Sequence, residues 1–289
     1  MFSLLKKAVI AVAFVITFTV AASPVDYLSA DSDAYLYVNI SNLLNAKTVQ
    51  QFIPMVDKEL KEAGLKARDF DGKVALGINI SAKNNNIQAN LDAILELKNA
   101  KAKDIFDTII ISSDEDFKAE TIAGKPAIKS DDVRIILQTP NVLILQGHLE
   151  GKKPFATLSN KGWNPIKQIR DLNQYDVAFY MNVAQAASKF KNELPEEARE
   201  SILKIKDASI FAKMNVNGSY SFKLVANCKS VDDAKALAAE LNAFIKLLSV
   251  EEGLKPIFKK INVRTYAARI TVEVTLTDND INTLMQLAE

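Results

Sequence analysis

The chain has 289 residues, 48% of them apolar and 25% charged, with 36 Lys and Arg against 35 Asp and Glu. That balance is the balance of a folded globular protein; it excludes a disordered or fibrous chain and allows two domains, each with its own core. A single cysteine, Cys228, excludes an intramolecular disulfide, and the near-neutral charge excludes a polyanion partner such as nucleic acid.

Residues 1–22 read as a signal peptide. Lys6 and Lys7 precede an uncharged, mainly apolar run from Ala8 to Ala22, and Val20 and Ala22 provide the small residues that a signal peptidase needs before its cut. The run falls short of the roughly 20 residues of a spanning helix, so no stable membrane span is expected after cleavage. Loss of Lys6 and Lys7 leaves 34 basic residues against 35 acidic ones. The expected location is the periplasm or the extracellular space.

The mature chain contains one pattern twice. Asp33 to Ser41 reads Asp-Ala-Tyr-Leu-Tyr-Val-Asn-Ile-Ser and recurs at Asp176 to Ala184 as Asp-Val-Ala-Phe-Tyr-Met-Asn-Val-Ala. Apolar residues alternate in both, at Ala34, Leu36, Val38 and Ile40 and at Val177, Phe179, Met181 and Val183, which is the period of a half-buried strand. Helical spacing follows at Leu43, Leu44, Val49, Phe52, Ile53, Val56 and Leu60, interrupted at Pro54 and stopped at Gly64. Pro195 in Leu-Pro-Glu-Glu marks the same kind of broken helical leg in the second copy. Each copy continues with a hairpin. The first runs from Val74 to Leu97; the second from Ile210 to Asn227 through an Asn217-Gly218 turn.

A second helix comes next in each copy. Ser230-Val-Asp-Asp233 predicts a capped start for a helix over 231–249, with Asn99 in the matching place of the first copy. Ile135 to Gln138 and Val142 to Gln146, flanking Thr139-Pro-Asn, close the first copy, and a helix is expected after Gly151. Val263 to Ala267, Ile270 to Leu276 and a helix from about Asp278 close the second. The fold class expected is therefore α+β: two homologous repeats, each an antiparallel or mixed sheet with helices on one face, of ferredoxin-like flavour. The first repeat covers 23–147, a closing helix and inter-domain join 148–175, and the second repeat 176–289.

Catalytic signatures are mostly missing. One histidine, His148, excludes a histidine-based zinc cage, and neither a Gly-x-Ser-x-Gly elbow nor a glycine-rich phosphate loop is present. His148 reads as a solvated loop residue. Asp278 and Asp280 read as capping residues of the last helix rather than as calcium ligands. No catalytic residue, cofactor or metal site is expected.

Two stretches are candidates for a ligand or partner surface. Tyr37 and Asn39, repeated as Tyr180 and Asn182, fall on the strand face opposite the apolar alternation; the local alternative is asparagine bonding its own backbone at a strand end. In the join, Lys167 and Arg170 lie near Trp163, the only tryptophan; the alternative there is an aromatic seal between domains.

Tyr27-Leu-Ser-Ala-Asp-Ser-Asp33, Val38-Asn-Ile-Ser-Asn-Leu-Leu44 and Val49-Gln-Gln-Phe52 resemble the start of uncharacterised exported bacterial proteins with tandem α+β repeats and no assigned activity. The resemblance implies export and tandem architecture, and it carries over no site residue. The functional expectation is an exported non-catalytic binding or structural module with a protein or small-molecule partner in the envelope. Its rivals are a hydrolase using carboxylates and a carrier of an apolar ligand.

Overall fold

The computed structural model describes residues 28, 32–61, 64–83, 86–99, 101–112, 117–150, 175–189, 196–215, 217–250 and 254–288. The signal-peptide segment 1–22, the helix expected after Gly151, and Trp163, Lys167 and Arg170 lie outside them. The chain divides into two compact units, Met1–Val177 and Ala178–Glu289, and its class is α+β with extensive antiparallel sheet.

In the first unit, strand β1 (Ala34–Asn39) leads into three short helices, α1 (Ile40–Leu43), α2 (Lys47–Gln50) and α3 (Ile53–Leu60). Pro54 sits in the first turn of α3, where its missing N–H costs nothing, and Gly64 takes φ 69° beyond the helix end. A 3-10 turn at Ala67–Phe70 then delivers the chain to the hairpin β2 (Gly72–Lys83) and β3 (Asn86–Leu97). Helix α4 (Lys101–Ser112) and strands β4 (Lys118–Ile122), β5 (Lys125–Lys129), β6 (Val133–Thr139) and β7 (Val142–Glu150) follow. The sheet order is β1-β2-β3-β7-β6-β5-β4, antiparallel throughout.

Three expectations change here. Strands β1 and β2 flank the helical leg yet pair directly and antiparallel, Tyr37 opposite Ala75; a ferredoxin-like split would place another strand between them. Strand β7 continues to Glu150, so His148 is a strand residue rather than a loop residue. Finally, the middle of the sheet is buried on both faces, not one. Successive strand residues point to opposite faces, and both members of the pairs Ile94–Leu95, Ile135–Ile136 and Leu143–Ile144 are fully buried. Helix α4 covers one face, packing on β3, β6 and β7. The hairpin β4–β5 was not anticipated: its turn is Ala123-Gly124, both at positive φ, and Pro126 weakens the strand pattern of β5.

The second unit opens with β8 (Val177–Met181), α5 (Val183–Lys189) and α6 (Glu196–Leu203), then the hairpin β9 (Ile205–Met214) and β10 (Tyr220–Cys228). Strand β9 stops at Met214 because Asn215 closes a wider loop, its Nδ2 donating to Ser219 Oγ and Ser221 Oγ, both at 2.9 Å. Helix α7 (Val231–Leu248) is capped by Ser230, whose Oγ accepts from Asp233 N at 3.0 Å. Helix α8 (Lys255–Phe258), strands β11 (Asn262–Tyr266) and β12 (Arg269–Leu276), and helix α9 (Asp278–Ala288) complete the unit, with strand order β8-β9-β10-β12-β11. Ala234, Leu237 and Ala238 of α7 join Cys228 and Ile270 in its core. No helix among the described residues is long and apolar enough to cross a membrane.

Candidate functional site

The expected sheet-face surface is not exposed at its first strand. Tyr37 retains 3% of its accessible surface and its neighbour Val38 none, so β1 is buried on both sides. Burial pushes the Tyr37 hydroxyl well above the ordinary tyrosine value, and the negative charges of Asp176 and Glu96 push it further. Tyr37 is a core residue. Tyr180, in the second unit, is half-buried, and burial followed by the Asp207 charge raises its hydroxyl as well.

The two asparagines do local work. Asn39 accepts from Asn42 N at 3.1 Å and so caps α1, while Asn42 Nδ2 donates to Asp176 Oδ1 at 2.6 Å. Asn182 accepts from Gln185 N at 3.0 Å at the start of α5 and donates to Gln185 Oε1 at 3.0 Å. A short polar side chain where a strand turns into a helix satisfies an orphan N–H of the first turn. The pair Tyr37 and Asn39 therefore divides into a core residue and a cap.

Polar chemistry gathers instead on β3, β7 and β6 of the first unit. The register places Asp92 opposite Gln146 and Gln146 opposite Arg134. Gln146, buried to 2%, donates from Nε2 to Asp92 Oδ1 at 3.0 Å and accepts from Arg134 Nε at 2.9 Å and from Arg134 Nη2. One amide thus bridges a carboxylate and a guanidinium. Burial lowers the Arg134 value, opposed by Glu120 and Asp92, but a guanidinium starts so high that it remains charged at any physiological pH. One row further along, His148 Nδ1 lies 3.0 Å from Asn90 Oδ1, and the His148 backbone N–H donates to Asp132 O at 2.9 Å. Burial holds the imidazole below 6.5; Asp132 opposes this, and Arg134 and Lys129 reinforce it. On β4, Glu120 Oε1 is buried without a hydrogen-bond partner.

This row shows no nucleophile with an adjacent base. Among the described residues no group of three or more His, Cys, Asp and Glu could hold a metal ion. Cys228 is buried at the end of β10, and burial raises its thiol, followed by Asp233 and Asp207, which is the reverse of an activated nucleophile. Asp280, one of the acids read as a cap, accepts from Thr277 N at 2.7 Å and from Lys260 Nζ at 2.5 Å. Thr277 is the cap and Asp280 its reciprocal partner, while Asp278 accepts the Tyr220 hydroxyl at 2.9 Å.

Among the described residues, a row of exposed large apolar side chains lies on α7 and the turn after it. Phe244, Leu247 and Val250 are 58%, 69% and 76% exposed, at spacings of three residues towards the C-terminal end of the helix, whereas its buried residues Ala234, Leu237 and Ala238 lie in the N-terminal half. Periodicity gives no sign of this, because Phe244 stands two turns beyond the buried Leu237 on one side of the helix, so spacing alone groups the two.

No protein-family model matches the chain, and no curated protein matches it. Among solved structures, three crystal forms of TP0453, a Treponema protein of uncharacterised function, are similar to it at 12% identity. Form I aligns with a TM-score of 0.49 and form III with 0.47, each over 92% of this chain and 98% of the other. Form IV aligns with 0.46 over 92% and 97%.

Proposed function

We propose that the protein acts by contact: an exported, non-catalytic binding or structural module of the bacterial envelope or extracellular space, built from two homologous repeats. The observation that carries the contact reading is the exposed apolar row Phe244, Leu247 and Val250. Contiguous apolar surface is costly to leave in water and is characteristic of surfaces that meet a partner. Duplication draws support from the like succession of elements in the two units: strand, broken helical leg, hairpin, helix, and a closing hairpin whose last strand lies beside the first hairpin. The partner is a protein with an apolar patch of its own. Export rests on the Lys6–Lys7 pair and the apolar run after it.

The test replaces Phe244 and Leu247 with serine. Both side chains are largely exposed, so circular dichroism should be unchanged while cross-linking to envelope proteins in intact cells is lost. Undiminished cross-linking removes the helix from the recognition surface, and a turnover abolished by one Asp or Glu substitution replaces the module with a carboxylate hydrolase. N-terminal sequencing of the extracytoplasmic protein should find a start near Ser23; a full-length cytoplasmic chain refutes export.

A further inference from the structure

We infer that Asn217 is a modification site: in the folded chain its side-chain amide is the first to be lost, Gly218 N closing on Asn217 Cγ to a succinimide that water opens to an aspartyl or isoaspartyl residue. The inference is independent of the α7 contact surface. Asn217-Gly218 is the one Asn-Gly pair in the sequence, and it lies exposed in the turn between β9 and β10. Glycine carries no side chain to shield the attacking nitrogen. The turn does not crowd it either: apart from the chain neighbours of Gly218, no atom lies within 4 Å of the place a Cβ would take there.

The same turn activates the carbon under attack. Asn217 Oδ1 accepts from Ser219 N at 3.1 Å and from Ser219 Oγ at 2.7 Å. A backbone N–H only donates, so the side-chain atom facing it is the carbonyl oxygen and not the amide nitrogen. Ser219 Oγ in turn accepts from Asn215 Nδ2 at 2.9 Å, which leaves the hydroxyl proton directed at Asn217. The relay from Asn215 through Ser219 to Asn217 therefore runs one way, each bond polarising the next. Ser219 is 8% exposed, so water competes little for its two donors. Attack on Cγ moves negative charge onto Oδ1, where both donors already point, which is how an oxyanion hole works.

The step balances with water alone. Gly218 N gives its proton to hydroxide and bonds to Cγ, the Cγ–Nδ2 bond breaks, and ammonia leaves; water then adds to either carbonyl of the ring. One bond opposes this, because Gly218 N–H donates to Asn215 O at 3.0 Å and must let go before the nitrogen attacks. It is a lone turn bond at an exposed tip, the kind that opens at low free energy. Asn39 and Asn182 also accept a backbone N–H through Oδ1, but Ile40 and Val183 follow them, and a β-branched side chain shields the nitrogen that would attack. An isoaspartyl link adds a methylene to the backbone and a charge to the tip, so the bond from Asn215 N to Ser219 O, 2.8 Å, should be lost with it.

The test incubates the folded chain at neutral and at mildly alkaline pH and follows every asparagine by peptide mass spectrometry, with isoaspartate read by isoaspartyl methyltransferase. Asn217 should convert first, and faster at the higher pH, since the attacking nitrogen must lose its proton. Ser219→Ala removes one of the two donors and should slow conversion about fivefold, whereas Ser219→Thr keeps the hydroxyl and should retain the rate. In urea the unaltered and Ser219→Ala chains should react at one rate, because the relay exists only in the folded turn. Conversion of another asparagine ahead of Asn217 overturns the inference. So does a folded Ser219→Ala chain that converts as fast as the unaltered one, or a difference between the two that persists in urea.

Discussion

Replacing Asp280 with asparagine tests the electrostatics of the second unit most directly. The carboxylate accepts from Lys260 Nζ at 2.5 Å, Thr277 N at 2.7 Å and Thr277 Oγ1 at 2.7 Å. The Lys260 bond, then the Thr277 N–H, hold its pKa down to about 2 from 3.8, against the opposing effect of burial. A depression of that size corresponds to about 2 kcal/mol at neutral pH. Lys260 remains 37% exposed, and solvent screens its share, so Asp280→Asn should cost roughly 1–2 kcal/mol at pH 7. Because the folded value lies below the unfolded one, this stability is present above the ordinary carboxylate value and is lost as pH falls towards 2. Urea denaturation followed by circular dichroism, with hydrogen exchange at the α9 amides, should show the full gap at neutral pH and a closing gap from about pH 4 downward. A gap that persists unchanged at the acid end, or none at neutral pH, refutes the reasoning.

Other outcomes are equally specific. Gly72→Ala should cost several kcal/mol or prevent folding, because a Cβ there would sit 2.1 Å from the Glu96 carbonyl oxygen, whereas Gly147→Ala, with its nearest atom at 4.0 Å, should stay within about 1 kcal/mol by denaturant melting. The single His148 should titrate by NMR below 6.5, and its contribution to stability should fall as pH drops below that ordinary value, since the unfolded chain takes up the proton first. An His148 that titrates at or above 6.5 contradicts its half-buried position. Tyr37→Ala should lose about 3–5 kcal/mol as a core truncation; a melting midpoint equal to that of the unaltered chain would return Tyr37 to the surface.

Much of the local structure can be read from residue types alone, because helix starts, helix stops and tight turns are set by neighbours in the chain. Pro54 opens α3, Gly64 ends it, Ser230 caps α7, and the hairpins β2–β3 and β9–β10 follow period-two runs. The two asparagines at strand ends also act locally, as their type implies. Burial does not act locally. Tyr37 alternates with Leu36 and Val38 in a pattern that would suit an exposed face, and only the packing of the folded unit makes that face interior. The Asp92–Gln146–Arg134 row depends on register between strands far apart in sequence, and no one-dimensional spacing encodes register. Helix α7 makes the same point from outside: Phe244 stands two turns beyond Leu237 on one side of the helix, yet tertiary packing buries Leu237 and leaves Phe244 in water.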